Sequence, residues 1–84
     1  MQKVFPKRAF SNMTNKSMAE MDYKYVAHNY KPLPIAIEKG LGIHVWDVEG
    51  RKYLDFLCGY SSNNQGHCHP EIVKVFIEQA QKIT

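Results

Sequence analysis

The chain has 84 residues, 44% of them apolar and 23% charged, with a formal charge of +3 at pH 7. That length allows one small domain, and the composition is too apolar for a disordered chain. No apolar run approaches the roughly 18–20 residues of a membrane span.

The charge is unevenly placed. Residues 1–19 hold Lys3, Lys7, Arg8 and Lys16 and no acid, while residues 20–84 hold seven Lys and Arg against eight Asp and Glu. The basic excess therefore belongs to the leader, and the remainder has no electrostatic footprint for nucleic acid. A basic, acid-free leader with Ser11, Thr14 and Ser17 has the composition of a mitochondrial transit peptide. Arg8-Ala9-Phe10-Ser11 is similar to a matrix-protease site cut after Phe10. The expected localisation is the mitochondrial matrix, with a cytoplasmic protein bearing a basic N-terminus as the alternative. The chain thus divides into a leader, 1–19, and a domain portion, 20–84.

Glu20 to Val26 predicts a short helix. Ala27-His28-Asn29-Tyr30-Lys31-Pro32-Leu33-Pro34 cannot continue it, because each proline disfavours helix at the residue before it. Tyr30 is thus presented from an extended segment. Residues 35–57 predict a three-stranded antiparallel meander. Its strands are Ile35–Glu38, Ile43–Trp46 and Arg51–Leu57, joined by Lys39-Gly40-Leu41-Gly42 and the strong turn signal Asp47-Val48-Glu49-Gly50. Lys52, Leu54 and Phe56 alternate with Tyr53 and Asp55. His44 reads as an ordinary strand residue.

Gly59 to Pro70 is almost free of aliphatic side chains and reads as a functional polar loop. Pro70 suits the first turn of a helix, and Glu71 suits its dipole. Residues 70–84 predict that helix, with Ile72, Val73, Phe76, Ile77, Ala80 and Ile83 forming one apolar stripe. A three-stranded ribbon and one helix share too little core to offset an ordering cost of about 1.5 kcal/mol per residue. The chain is expected to be incomplete by itself.

Two other function classes are open to these residues. His67, Cys68 and His69, with Cys58 and His44, offer soft metal ligands, but a His-Cys-His run lacks the paired spacing of structural zinc, so no metal is expected. A basic interaction module is disfavoured by the balance after residue 19.

Gly42-Ile43-His44-Val45-Trp46-Asp47, Gly50-Arg51-Lys52-Tyr53-Leu54-Asp55-Phe56 and Asn64-Gln65-Gly66-His67-Cys68-His69-Pro70 together resemble the class III, pyridoxal-phosphate-dependent aminotransferases. The resemblance runs from about Tyr23 to Thr84. Ala27 to Pro34 with Tyr60-Ser61-Ser62 resembles those members that act on ornithine, with acetylornithine-type members as the alternative. The resemblance implies an α+β chain, the N-terminal segment of a fold-type-I transferase that works as a homodimer with pyridoxal 5'-phosphate. It implies ping-pong transfer of the terminal amino group of ornithine to 2-oxoglutarate, giving glutamate semialdehyde and glutamate. Carried over by position, Tyr30 would bind the α-amino end of ornithine and Tyr60 would stand beside the substrate. The resemblance places the Schiff-base lysine, the cofactor's carboxylate partner and the substrate-binding arginine beyond Thr84. No catalytic or cofactor-binding residue is therefore expected in this chain, and the 84 residues alone are expected to be inactive. Val26 replaces the family's usual Gly, and Asn63 replaces an apolar residue. Val26 would be costly if its position required a positive φ.

Overall fold

The computed structural model describes residues 12–84. The proposed cut after Phe10 lies outside them. Helix α1 (Asn15–Tyr25) is followed by strands β1 (Ile37–Leu41), β2 (His44–Asp47) and β3 (Lys52–Leu54), a short turn, and helix α2 (Pro70–Ala80). The three strands form one antiparallel sheet in the order β1-β2-β3.

Helix α1 starts at Asn15, inside the stretch whose composition marks a leader. Thr14 and Ser17 explain the start. Thr14 Oγ1 accepts from the Ser17 amide and Ser17 Oγ accepts from the Thr14 amide, both at 3.0 Å, a reciprocal cap that satisfies two otherwise orphaned donors. The helix ends at Val26, whose φ of −108° and ψ of 145° are extended. A β-branched residue is comfortable there, so the Val26 substitution carries no backbone penalty.

The first turn is tighter than the residues suggest. Leu41 pairs with His44, so Gly42-Ile43 alone makes the connection and Lys39-Gly40-Leu41 belong to β1 rather than to a loop. A bulge between Ile37 and Lys39 absorbs the shift. At the other end, β3 stops at Leu54, and Asp55-Phe56-Leu57 leave the ladder.

Lys52 and Leu54 face out opposite Tyr53, the alternation expected of β3; Val45 and Asp47 turn inward with Tyr53, and Asp47 ends β2 rather than only opening the turn. On the outer face Trp46 is flanked by its two cross-strand partners. Lys39 Nζ lies 4.8 Å and Lys52 Nζ 5.6 Å from its ring centre, within cation–π range.

The centre of the described residues is polar. Val45 is the buried apolar residue, and its neighbours in the interior are Asn15 and the fully buried Asp47. Asn15 joins the helix to the sheet and the segments flanking it at three points. Its side chain donates to Asp47 Oδ2 at 3.0 Å and accepts from the Ala36 amide at 2.8 Å, while its own amide donates to Glu49 Oε2 at 2.8 Å.

Helix α2 begins as the residues predict, with Pro70 in its first turn and His69 as its cap. His69 Nδ1 accepts from the Glu71 amide at 3.3 Å. It closes at Ala80 rather than running to Thr84, the Lys82 amide donating to the Gln79 carbonyl in a tighter turn. No residue of α2 is buried: Val73 and Ala80 are half-buried and the rest of its apolar stripe is exposed, Phe76 by 72%.

Candidate functional site

The polar loop opens with a backbone conformation that the residues do not foretell. Cys58, Gly59, Tyr60 and Ser61 all have positive φ, 52°, 59°, 56° and 68°. Gly59 and Tyr60 have ψ of 42° and 45°, so Cys58–Ser61 forms one left-handed turn. Such a turn costs about 1–2 kcal/mol for each residue with a Cβ. Glycine removes that cost only at Gly59. Strain of this kind persists where the surroundings over-determine it, and it concentrates at functional sites.

Asp55 holds the entrance to the turn. Its Oδ1 accepts from the amides of Leu57 and Cys58, both at 3.0 Å. The Cys58 thiol donates to the Asp55 carbonyl at 3.3 Å. Asn63 holds the exit, its amide donating to the Cys58 carbonyl at 2.9 Å. Between them the Ser62 hydroxyl donates to the Gly59 carbonyl at 2.7 Å.

His67 connects entrance and exit. Its Nε2 lies 2.6 Å from Asp55 Oδ2 and its Nδ1 lies 3.0 Å from Asn63 Nδ2. With Nε2 protonated, the imidazole donates to the carboxylate and accepts from the amide, so both ring nitrogens are satisfied. The backbone of His67 also pairs with Gly42, amide to carbonyl in both directions at 2.9 and 3.0 Å. The ring rests on Gly40, where a Cβ would lie 2.7 Å from His67 Cγ. That contact explains a glycine in the middle of β1. Gly66 also approaches Gly42 closely: a Cβ on Gly66 would lie 3.0 Å from Gly42 Cα, and its φ is +83°.

Bonding to the ionised form fixes two carboxylates. The Cys58 amide and then the His67 side chain lower Asp55 below the usual carboxylate range, against the opposing effect of burial. Burial acts to raise Asp47. Hydrogen bonds from Asn15, the Arg51 amide, Tyr53 and the Glu49 amide together outweigh it and bring Asp47 to about 2. The same bond, donated by Tyr53 to Asp47 at 2.8 Å, raises the Tyr53 phenol.

Tyr30 and Tyr60 are both presented outward, 82% and 85% exposed. Tyr60 stands on the left-handed turn. Tyr30 follows a segment pinned to the end of α1. There His28 Nε2 lies 2.6 Å from the Tyr23 carbonyl, one of the orphaned acceptors of the helix terminus, and the two rings stack with centroids 4.1 Å apart. An open cleft of about 460 Å3 lies beside Tyr30, bounded by Asp22, Tyr23, His28 and Pro32. The Ile35 amide then donates to the Leu33 carbonyl at 2.8 Å, a three-residue turn centred on Pro34. The two phenols thus sit on separate supports.

His67 counts by residue type among the soft metal ligands, yet its nitrogens are both engaged within the protein. Among the described residues no three His, Cys, Asp or Glu side chains gather closely enough to hold an ion. The Asp55–His67–Asn63 relay escapes sequence reasoning. Its one local signal is Asp55 followed at two and three positions by amides it can accept from, the pattern of an Asx turn.

Residues 25–84 match the family described as aminotransferase class-III. A probable mitochondrial ornithine aminotransferase of Caenorhabditis elegans is 52% identical over 92% of this chain and 18% of its own length. The structure of Plasmodium falciparum ornithine delta-aminotransferase superposes with a TM-score of 0.81 at 46% identity, covering 86% of this chain and 19% of that one. An acetylornithine aminotransferase from Elizabethkingia anophelis also gives 0.81, at 51% identity, over 84% of this chain and 18% of that one. The chain therefore spans less than a fifth of the length of these proteins, and it matches their N-terminal part.

Proposed function

This chain belongs to the class III aminotransferases, and we propose that it is the N-terminal part of an ornithine:2-oxoacid aminotransferase. The complete enzyme would move the terminal amino group of ornithine to 2-oxoglutarate, leaving glutamate semialdehyde and forming glutamate. The observation that carries this reading is the 52% identity to a relative named for ornithine, over nearly the whole of this chain. The geometry supports it: the two phenols it requires, Tyr30 and Tyr60, are both exposed on pinned supports. A phenol offers one donor and an acceptor on a rigid ring, which suits the amino end of a substrate.

Pyridoxal phosphate, which the family implies, supplies the electron sink of transamination when bound. We place its pocket in the rest of the complete chain. Every described lysine is exposed, and the two low-titrating carboxylates, Asp47 and Asp55, are spent on internal hydrogen bonds. The contribution of this segment is to position groups at the substrate side. We place its remaining partners, the rest of the aminotransferase chain and a second subunit of a homodimer, outside these residues.

A second reading is an acetylornithine aminotransferase, favoured by the bacterial structure of equal TM-score. Purified full-length enzyme carrying this segment separates the two. A kcat/KM for ornithine well above that for N-acetylornithine is expected, and the reverse order overturns the ornithine reading. We also place the complete protein in the mitochondrial matrix, on the basic leader and on the mitochondrial name of the nematode relative.

A further inference from the structure

We propose that His67 is the positioning residue for the left-handed turn and for Tyr60 upon it. Three of the four residues of that turn carry a Cβ in a backbone region that L-residues avoid. Something within the segment must keep it from relaxing, because among the described residues no aliphatic core lies beneath it: Tyr60 is exposed, and so are Phe56 and Leu57 just before it.

Two brackets hold the turn. The Asp55 carboxylate fixes the amides of Leu57 and Cys58 at its start, and the Asn63 backbone amide closes it onto the Cys58 carbonyl. The backbone of Asp55 is tied to the hairpin, its amide donating to the Ile43 carbonyl at 2.8 Å, but its carboxylate and the Asn63 side chain meet the sheet only through His67. The imidazole binds the far oxygen of Asp55 on one side and the amide of Asn63 on the other. The sheet in turn fixes His67, through the two-way backbone pair with Gly42 and the seat of its ring on Gly40. The orientation of the Tyr60 ring therefore depends on a side chain that reaches it only through the relay. Selection of substrate by a cleft depends on where its walls stand, to within fractions of an ångström. The kinetic consequence of this proposal rests on the reading of Tyr60 as a substrate-side residue, and its structural consequence does not.

Two measurements on the full-length holoenzyme test it. The first is amide hydrogen exchange at Ser61, Ser62 and Asn63, the amides bonded within the turn. In His67→Ala these should exchange at least about tenfold faster while the strands keep their protection, since local opening loses the bracket without global unfolding. Unchanged exchange at these amides overturns the proposal. Should His67→Ala not fold, Asn63→Ala breaks one side of the relay alone, with the same expected and opposing outcomes.

The second is a double-mutant cycle. His67→Ala should lower kcat/KM for ornithine about tenfold, mostly through KM, and should cause no further loss when Tyr60→Ala is already present. Losses that multiply overturn the claim that His67 acts through Tyr60. If Tyr60→Ala leaves ornithine kinetics unaltered while exchange in the His67 variant is faster, the substrate reading of Tyr60 falls and the positioning of the turn stands.

Discussion

Asn15 Nδ2 donates to Asp47 Oδ2 at 3.0 Å, a buried bond between the first turn of the N-terminal helix and the end of the second strand. Through it a residue in the stretch of basic composition becomes part of the domain interior. Replacing Asn15 by Ala should strand the Ala36 amide and remove one donor from a buried carboxylate. Unsatisfied buried groups of this kind cost about 1–3 kcal/mol. Denaturant unfolding of the full-length protein should show that loss, and Asn15→Asp should be no better, because it sets a second carboxylate against Asp47.

The same site predicts a dependence on acid. Asp47 titrates at about 2 in the folded chain against an ordinary 3.8. The folded form thus prefers the ionised carboxylate, so its stabilisation is fully present above 3.8 and is lost as pH falls towards about 2. Melting temperatures between these limits should fall more steeply in the parent than in Tyr53→Phe, which removes one of the four stabilising bonds. Parallel curves would refute this origin of the acid sensitivity.

Tyr30→Phe should weaken ornithine use in the complete enzyme without changing its melting temperature. The hydroxyl faces solvent rather than the interior, so its removal takes nothing from the fold. A lost substrate hydrogen bond is worth about 0.5–1.5 kcal/mol, or more if the partner is charged. Steady-state kinetics with ornithine check it, and unchanged values would count decisively against the role.

The leader should direct import and be removed near Phe10-Ser11. Cleavage there would leave the Thr14–Ser17 cap and Asn15 intact. A fusion of residues 1–30 to a fluorescent protein should appear in mitochondria in a shortened form. Diffuse cytosolic fluorescence of full-length fusion would sink the idea.

Expressed alone, the 84 residues should melt broadly and transaminate nothing. Phe56 is 90% exposed and Phe76 72%, against a single buried apolar residue, Val45, among the described residues. Exposed apolar surface on this scale marks a missing partner surface. A sharp cooperative melt together with transamination of ornithine would overturn this expectation.

The elements are legible in the residues where they depend on short-range pattern. Alternation of Lys52 and Leu54 with Tyr53 defines the two faces of β3, and Pro70-Glu71 marks the start of the last helix, whereas the burial of Asp47 inside β2 is not legible in a residue that looks like a turn opener. The beginning of α1 is hidden because Thr14 and Ser17 look equally at home in a targeting leader, and their reciprocal cap becomes visible only when the helix forms. Gly40 looks like a turn residue. Its true reason is the His67 ring, a contact with a distant part of the chain that no local pattern encodes. Left-handed φ at Tyr60 and Ser61 is illegible for the same reason, since their own propensities oppose it and tertiary bonding wins.

The pairing of Gly42 with His67 has a consequence for how this segment can change in length. It fastens one end of the polar loop to a two-residue hairpin that has no slack. The Asp55 carboxylate fastens the other end through the same histidine. Insertion of one residue between Phe56 and Gly66 would therefore have to be taken up by the Cys58–Ser61 turn or would pull the imidazole off its glycine seat. Surface loops usually absorb insertions cheaply. This one should behave like a strand, accepting changes of side chain at Gln65 or Asn64 but no change of count.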